Sequence, residues 1–138
     1  MIAVRSVALV MLLAAVAGCV HYPRVDEAGN PRIRPENARA VRQADGLAIY
    51  VDLHSSGKFG DAITGAQSEV ARQARVVDGA GTELPRVEIP GEGVLPLRPG
   101  SPHVQLSGLT RALTRGESII VTLVLEKSGR LGVVTVVE

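Results

Sequence analysis

The stretch ESIIVTLVLEKSGRLGVVTVVE, Glu117 to Glu138, constrains this chain more than any other. Two runs rich in β-branched residues are joined by Lys127-Ser128-Gly129, a connection with room only for a tight reversal. β-Branched side chains lose rotamer freedom in a helix and pack well on a pleated surface, so the runs read as two strands of a hairpin. A lone hairpin is marginal in water and needs further strands to cover its apolar face.

The rest of the chain supplies them. GLAIYVDLH alternates Leu47, Ile49, Val51 and Leu53 against Ala48, Tyr50, Asp52 and His54. HVQLSGL alternates Val104 and Leu106 against Gln105 and Ser107. EVARQARVV gives a weaker strand, and LPRVEIP and GVLPLRPG give short ones ended by proline or glycine. About seven short strands with turn signals between them and no long helix predict an all-β fold, a small β-sandwich or barrel. Tyr50 and Phe59 are the only aromatics expected in the domain, so valine, leucine and isoleucine must fill its core. With 138 residues there is room for one domain, and no internal repeat or low-complexity tract divides it.

The N-terminus reads as an export signal. Arg5 precedes an apolar run from Val7 to Ala17 that is too short to span a bilayer and ends in small residues, so residues 1–18 are expected to be a cleaved signal peptide. VAGC, Val16 to Cys19, resembles the bacterial lipobox, which implies that Cys19 is lipidated and anchors the chain to a membrane. Cys19 is the only cysteine, so no internal disulfide can form. Val20 stands where an aspartate would mark inner-membrane retention, which implies a periplasm-facing lipoprotein of the outer membrane. Residues 19–45 are polar and proline-containing and read as a tether, with a short helix around Glu36 to Arg42; the folded domain is expected at 46–138.

Charge and motifs exclude several functions. Only Arg5 leaves with the leader, so fourteen basic residues face fourteen acidic ones in the mature chain. A scattered, balanced charge set almost without aromatics argues against nucleic-acid binding. No nucleophile elbow, phosphate loop or H-E-x-x-H helix is present, so no enzyme and no small-molecule substrate is expected. GAGTEL has two glycines, but no helix follows to receive a phosphate.

The segment from Val87 to Val137 resembles the periplasmic copper chaperone family usually written PCu(A)C. The matching pieces are Ile89-Pro90, Pro99-Gly100, His103, Leu106, Gly108-Leu109, Gly116, Thr122-Leu123 and Gly129. Upstream, AIYVDLHSSGKFGDAITGAQS is similar to the family's A-Y-x-x-I-x-N-x-G…D-x-L-x-G-x-x-S. The resemblance covers roughly residues 46 to 138 and implies a cupredoxin-like, Greek-key β-sandwich that holds Cu(I) with two histidines and two methionines. His103 matches the histidine of the family's His-x-Met pair, but Gln105 stands at the methionine. The second histidine aligns near Val77, and DGAGTELPR lacks the other methionine. Met1 and Met11 are the only methionines and leave with the leader. Thioethers suit Cu(I) because both are soft, whereas an amide oxygen is a poor substitute. The expectation is a family member with a degenerate copper site, in which His103 is the one metal-ligand candidate and a remnant, and no cofactor is held.

Two readings of function stay open. One is copper handling for delivery to a periplasmic protein; the other is a metal-independent interaction or structural module on the same fold. A replacement Cu(II) or Zn²⁺ site from His54, Asp52, Gln105 and His103 is chemically allowed, provided that His54 and His103 approach each other. His21 lies beside the anchor.

Overall fold

The computed structural model describes residues 32–138. The signal peptide, Cys19, His21 and the first part of the expected tether lie outside the described residues.

Nine strands form: β1 (Ile33–Gln43), β2 (Gly46–Ser55), β3 (Asp61–Gln67), β4 (Ala71–Val77), β5 (Val87–Ile89), β6 (Gly93–Leu97), β7 (His103–Leu109), β8 (Ser118–Leu125) and β9 (Gly129–Val137). Among the described residues there is no helix. The strands follow the order β4-β7-β2-β1-β9-β8-β3-β5, with β6 also pairing β2. The sheet curls on itself. A short parallel pairing of β1 with β9, Arg39 to Val136 and Ala40 to Val137, joins its two halves. Arg39 reinforces the join, donating from Nε and Nη2 to the Glu138 carboxylate at 2.8 and 3.1 Å.

The seven strands read from periodicity are present, and β1 and β3 are additional. β1 corrects the expected tether: residues 33–43 are a strand, and no helix forms around Glu36 to Arg42. Its alternation is hidden by a bulge between Glu36 and Arg39, where Asn37 adopts φ 55°. A bulge shifts the inside-outside phase by one residue, so a two-residue period does not run through it. Only Ala40 of β1 is fully buried, which leaves the strand polar enough to pass for a linker. β3 is hidden in the same way, by a register shift between Ile63 and Gly65.

The core follows the alternation. Leu47, Ile49, Val51 and Leu53 of β2 face Val104 and Leu106 of β7 and Ile119, Val121, Leu123 and Leu125 of β8 in one cluster. Aliphatic side chains fill it, and Phe59 lies outside, 58% exposed. The other face of β2, from Ala48 to His54, and the matching face of β7 and β4 carry the polar residues that concern function.

Candidate functional site

His103 opens β7 directly after the turn at Pro99–Ser101. Gly100 takes φ 78° there, a conformation that glycine adopts without Cβ strain. His103 Nδ1 lies 2.8 Å from the Ser101 carbonyl oxygen. A carbonyl only accepts, so Nδ1 carries the proton, and in the neutral ring the lone pair is on Nε2. The His103 ring rests against Tyr50, with ring centroids 5.4 Å apart and planes tilted by 57°.

The neighbours on this face are fixed by register. Val77 of β4 pairs directly with His103, and Arg75 of β4 and Ala48 of β2 flank Gln105. Directly paired residues place their side chains on the same face, about 5 Å apart. The position across from His103 is therefore a valine with no exposed surface. Arg75 adds a guanidinium whose Nε is buried without a hydrogen-bond partner among the described residues. A cation beside Gln105 opposes a second cation at that place.

The hairpin after Val77 closes tightly over the turn. Asp78 Oδ1 accepts the amides of Ala80 and Thr82, both at 2.9 Å, and a Cβ on Gly79 would collide with the Gly100 carbonyl. This reversal is locked to the His103 turn with no methionine in it.

The other sequence candidates lie elsewhere. His54 Nε2 sits 3.2 Å from Glu36 Oε2, four residues along β2 from Tyr50, a separation of about 13 Å at strand rise. Asp52, nearly buried, accepts from Arg98 at 3.0 Å and from Asn37 Nδ2 at 3.1 Å. His54, Asp52 and His103 thus have separate partners and do not converge. Among the described residues no group of three or more His, Cys, Asp and Glu side chains comes together around a metal-sized space. Among the described residues the side chains that the register sets beside His103 are a valine, an amide and a guanidinium, which is not the soft donor set that Cu(I) prefers.

One polar residue that the sequence reading did not single out is a buried carboxylate with four hydrogen bonds. Asp61, 2% exposed, accepts the amides of Ala62, Lys127 and Ser128 at 2.8, 2.8 and 2.9 Å and the Ser128 hydroxyl at 2.6 Å. Burial pushes its carboxyl up, but the four hydrogen bonds together outweigh this and hold it below the ordinary carboxylate range. Its place at the start of β3, where the family pattern also has an aspartate, was the only available signal; Lys127 and Ser128 are 66 and 67 residues away.

Similarity to known proteins agrees with this architecture. The chain resembles a copper-bound PCuAC domain from PmoF2, with a TM-score of 0.67 and 22% identity over 79% of this chain and 97% of that one. The apo PCuAC domain from PmoF1 gives a TM-score of 0.69 and 23% identity over 79% of this chain and 98% of that one. The solution structure of CuI-DR1885 from Deinococcus radiodurans gives 0.63 and 25% identity over 84% and 86%. No curated protein matches the chain significantly. These likenesses establish the PCuAC cupredoxin-like fold. The family described as "Putative lipoprotein LpqE-like" matches residues 27–137, a span that includes all of β1. The chain belongs to this LpqE-like family and has the fold of a PCuAC domain.

Proposed function

We propose that the protein is an envelope-anchored lipoprotein that keeps the copper-chaperone fold without its Cu(I) site and acts as a metal-independent interaction module facing the periplasm. One observation carries this reading: the face around His103 has buried Val77 opposite the imidazole and Gln105 where a thioether is needed. The anchor is Cys19, and Val20 after it favours the outer membrane. The counterpart is a periplasmic protein or envelope component. No set of side chains on this face places a nucleophile, base or activated water, so the proposal contains no catalytic step.

Titration of the mature chain with Cu(I) against a competing chelator tests the reading. Failure to compete at micromolar chelator, unchanged by His103→Ala, is expected. Copper withdrawn from the chelator by the wild-type chain and not by H103A overturns it.

A second reading, copper handling through His103, is favoured by the tautomer. The Ser101 carbonyl fixes the proton on Nδ1 and leaves Nε2 as the free donor, which is how ligating imidazoles are commonly held. An oxidase defect in a deletion strain that added copper rescues would support this reading against the first.

A further inference from the structure

We propose that the end of the sandwich where the chain enters β1 docks on an anionic phospholipid surface, with Phe59 as the apolar contact and Lys58 and Lys127 as the charges. The inference rests on the reading of Cys19 as a lipid anchor and adds to it an orientation.

Backbone hydrogen bonds put three segments at one end. The Arg32 carbonyl accepts the Ser56 amide at 3.1 Å, so the chain enters beside the loop at 56–60. Lys127 Nζ donates to the Gly60 carbonyl at 3.1 Å, and Asp61 holds the Lys127 and Ser128 amides. The loop and the β8–β9 turn therefore form one surface next to Arg32.

Composition makes that surface unlike the rest. Phe59 is the only phenylalanine of the chain, and Lys58 and Lys127 are its only lysines. All three are exposed here, with Lys58 Nζ 5.7 Å from the centre of the Phe59 ring. The loop is held in place: Glu92 donates its amide to the Gly57 carbonyl at 2.9 Å, and a Cβ on Gly91 would collide with the Lys58 carbonyl. A fixed, outward aromatic with lysines around it is the arrangement that interfacial anchors use.

Charge and reach agree with a membrane as the occupant. At this end Glu36 is engaged by Arg34 and His54, Glu88 and Glu126 share Arg86, and Asp61 is buried among its donors. Glu92 is the exposed acid that remains, against Lys58, Lys127 and Arg32. Twelve residues lie between Cys19 and Arg32, a link of about 45 Å at full extension, so a lipid on Cys19 tethers the domain by this end. The opposite end, where β1 turns into β2 at Asp45, carries no aromatic.

The chain contains no tryptophan, so Phe59→Trp in the full-length lipidated protein gives a single reporter. Its emission is measured on vesicles of phosphatidylcholine mixed equally with acyl-brominated phosphatidylglycerol. Blue-shifted, quenched emission is expected, lost in brominated phosphatidylcholine alone and at high salt. Lysines near an anionic surface are worth about fivefold each in partitioning, so K58E/K127E should reduce the quenched fraction more than tenfold. Water-like, unquenched F59W emission from protein that still sediments with the vesicles overturns docking and leaves the anchor standing. Wild-type protein that does not sediment with membranes at all overturns both. A shift produced by envelope proteins and not by vesicles assigns the patch to a protein and overturns the lipid surface. Loss of sedimentation on Cys19→Ala, with F59W quenched in the lipidated chain, supports both.

Discussion

Asp61 and His103 stand on the same family framework, and their surroundings differ completely. Asp61 is buried and satisfied by four donors from its own strand and the β8–β9 turn. His103 is partly exposed and holds one hydrogen bond and one ring contact. A residue that closes a fold has all its partners supplied by the fold. A residue kept for a ligand depends on other side chains, and around His103 those are valine, glutamine and arginine. The difference separates what the sandwich needs to stand from what its relatives need to carry metal.

Removing Asp61 should break the comparison most visibly. Asp61→Ala leaves the Ser128 hydroxyl and three amides without their acceptor, and unmet buried donors cost about 1–3 kcal/mol each before relaxation and water entry. A net loss of about 3 kcal/mol is expected in urea unfolding of the mature chain; a loss under about 1 kcal/mol would show that water replaces the carboxylate at no cost.

The same carboxylate predicts an acid limb. Its folded-state pKa is depressed, so the unfolded chain binds its proton more readily as pH falls. The stabilisation is complete above the unfolded value, near about 3.9, and is lost as pH drops through the lower folded value. Stability should decline below about pH 4, and Asp61→Asn should remove that part of the slope. A wild-type acid limb that D61N leaves unchanged would assign it to other carboxylates.

Restoring soft donors tests the other side. Gln105 shares a face with His103, and Val77 lies opposite, so Val77→His with Gln105→Met would rebuild an imidazole, imidazole and thioether set. Cu(I) affinity should rise by about tenfold or more, equivalent to about 1.4 kcal/mol. No rise would mean that Arg75 and the closed hairpin at 78–82, and not ligand identity alone, keep metal out.

The sandwich was largely legible because β2 and β7 alternate strictly and their inward apolar positions are core, while β8 and β9 are β-branched runs whose outward Ile120, Val134 and Val136 stay exposed. β1 and β3 were not legible, because a bulge in each shifts the phase within the strand. For the site, only what residues 32–138 lack was legible: they contain no methionine, and no histidine lies between His54 and His103. What is present there was not. The pairing of Val77 with His103, the Arg75 cation beside Gln105, the Tyr50 contact and the Asp61 clasp all join residues distant in sequence. No local pattern encodes them.

The smallest expected effect concerns a buried hydroxyl on the apolar face of β9. Thr135 lies between Val133 and Val137, 1% exposed, and its Oγ1 has no hydrogen-bond partner among the described residues. Asp61 is equally buried and fully bonded, so the two isolate the value of satisfaction at constant burial. Thr135→Val keeps the shape and removes the unmet group, which should stabilise the domain by about 1 kcal/mol. For a domain of this size that is a rise of a few degrees in Tm, measured by calorimetry on the mature chain. A lower Tm for T135V would mean that the hydroxyl finds a partner in solution, and the contrast with Asp61 would then be one of degree.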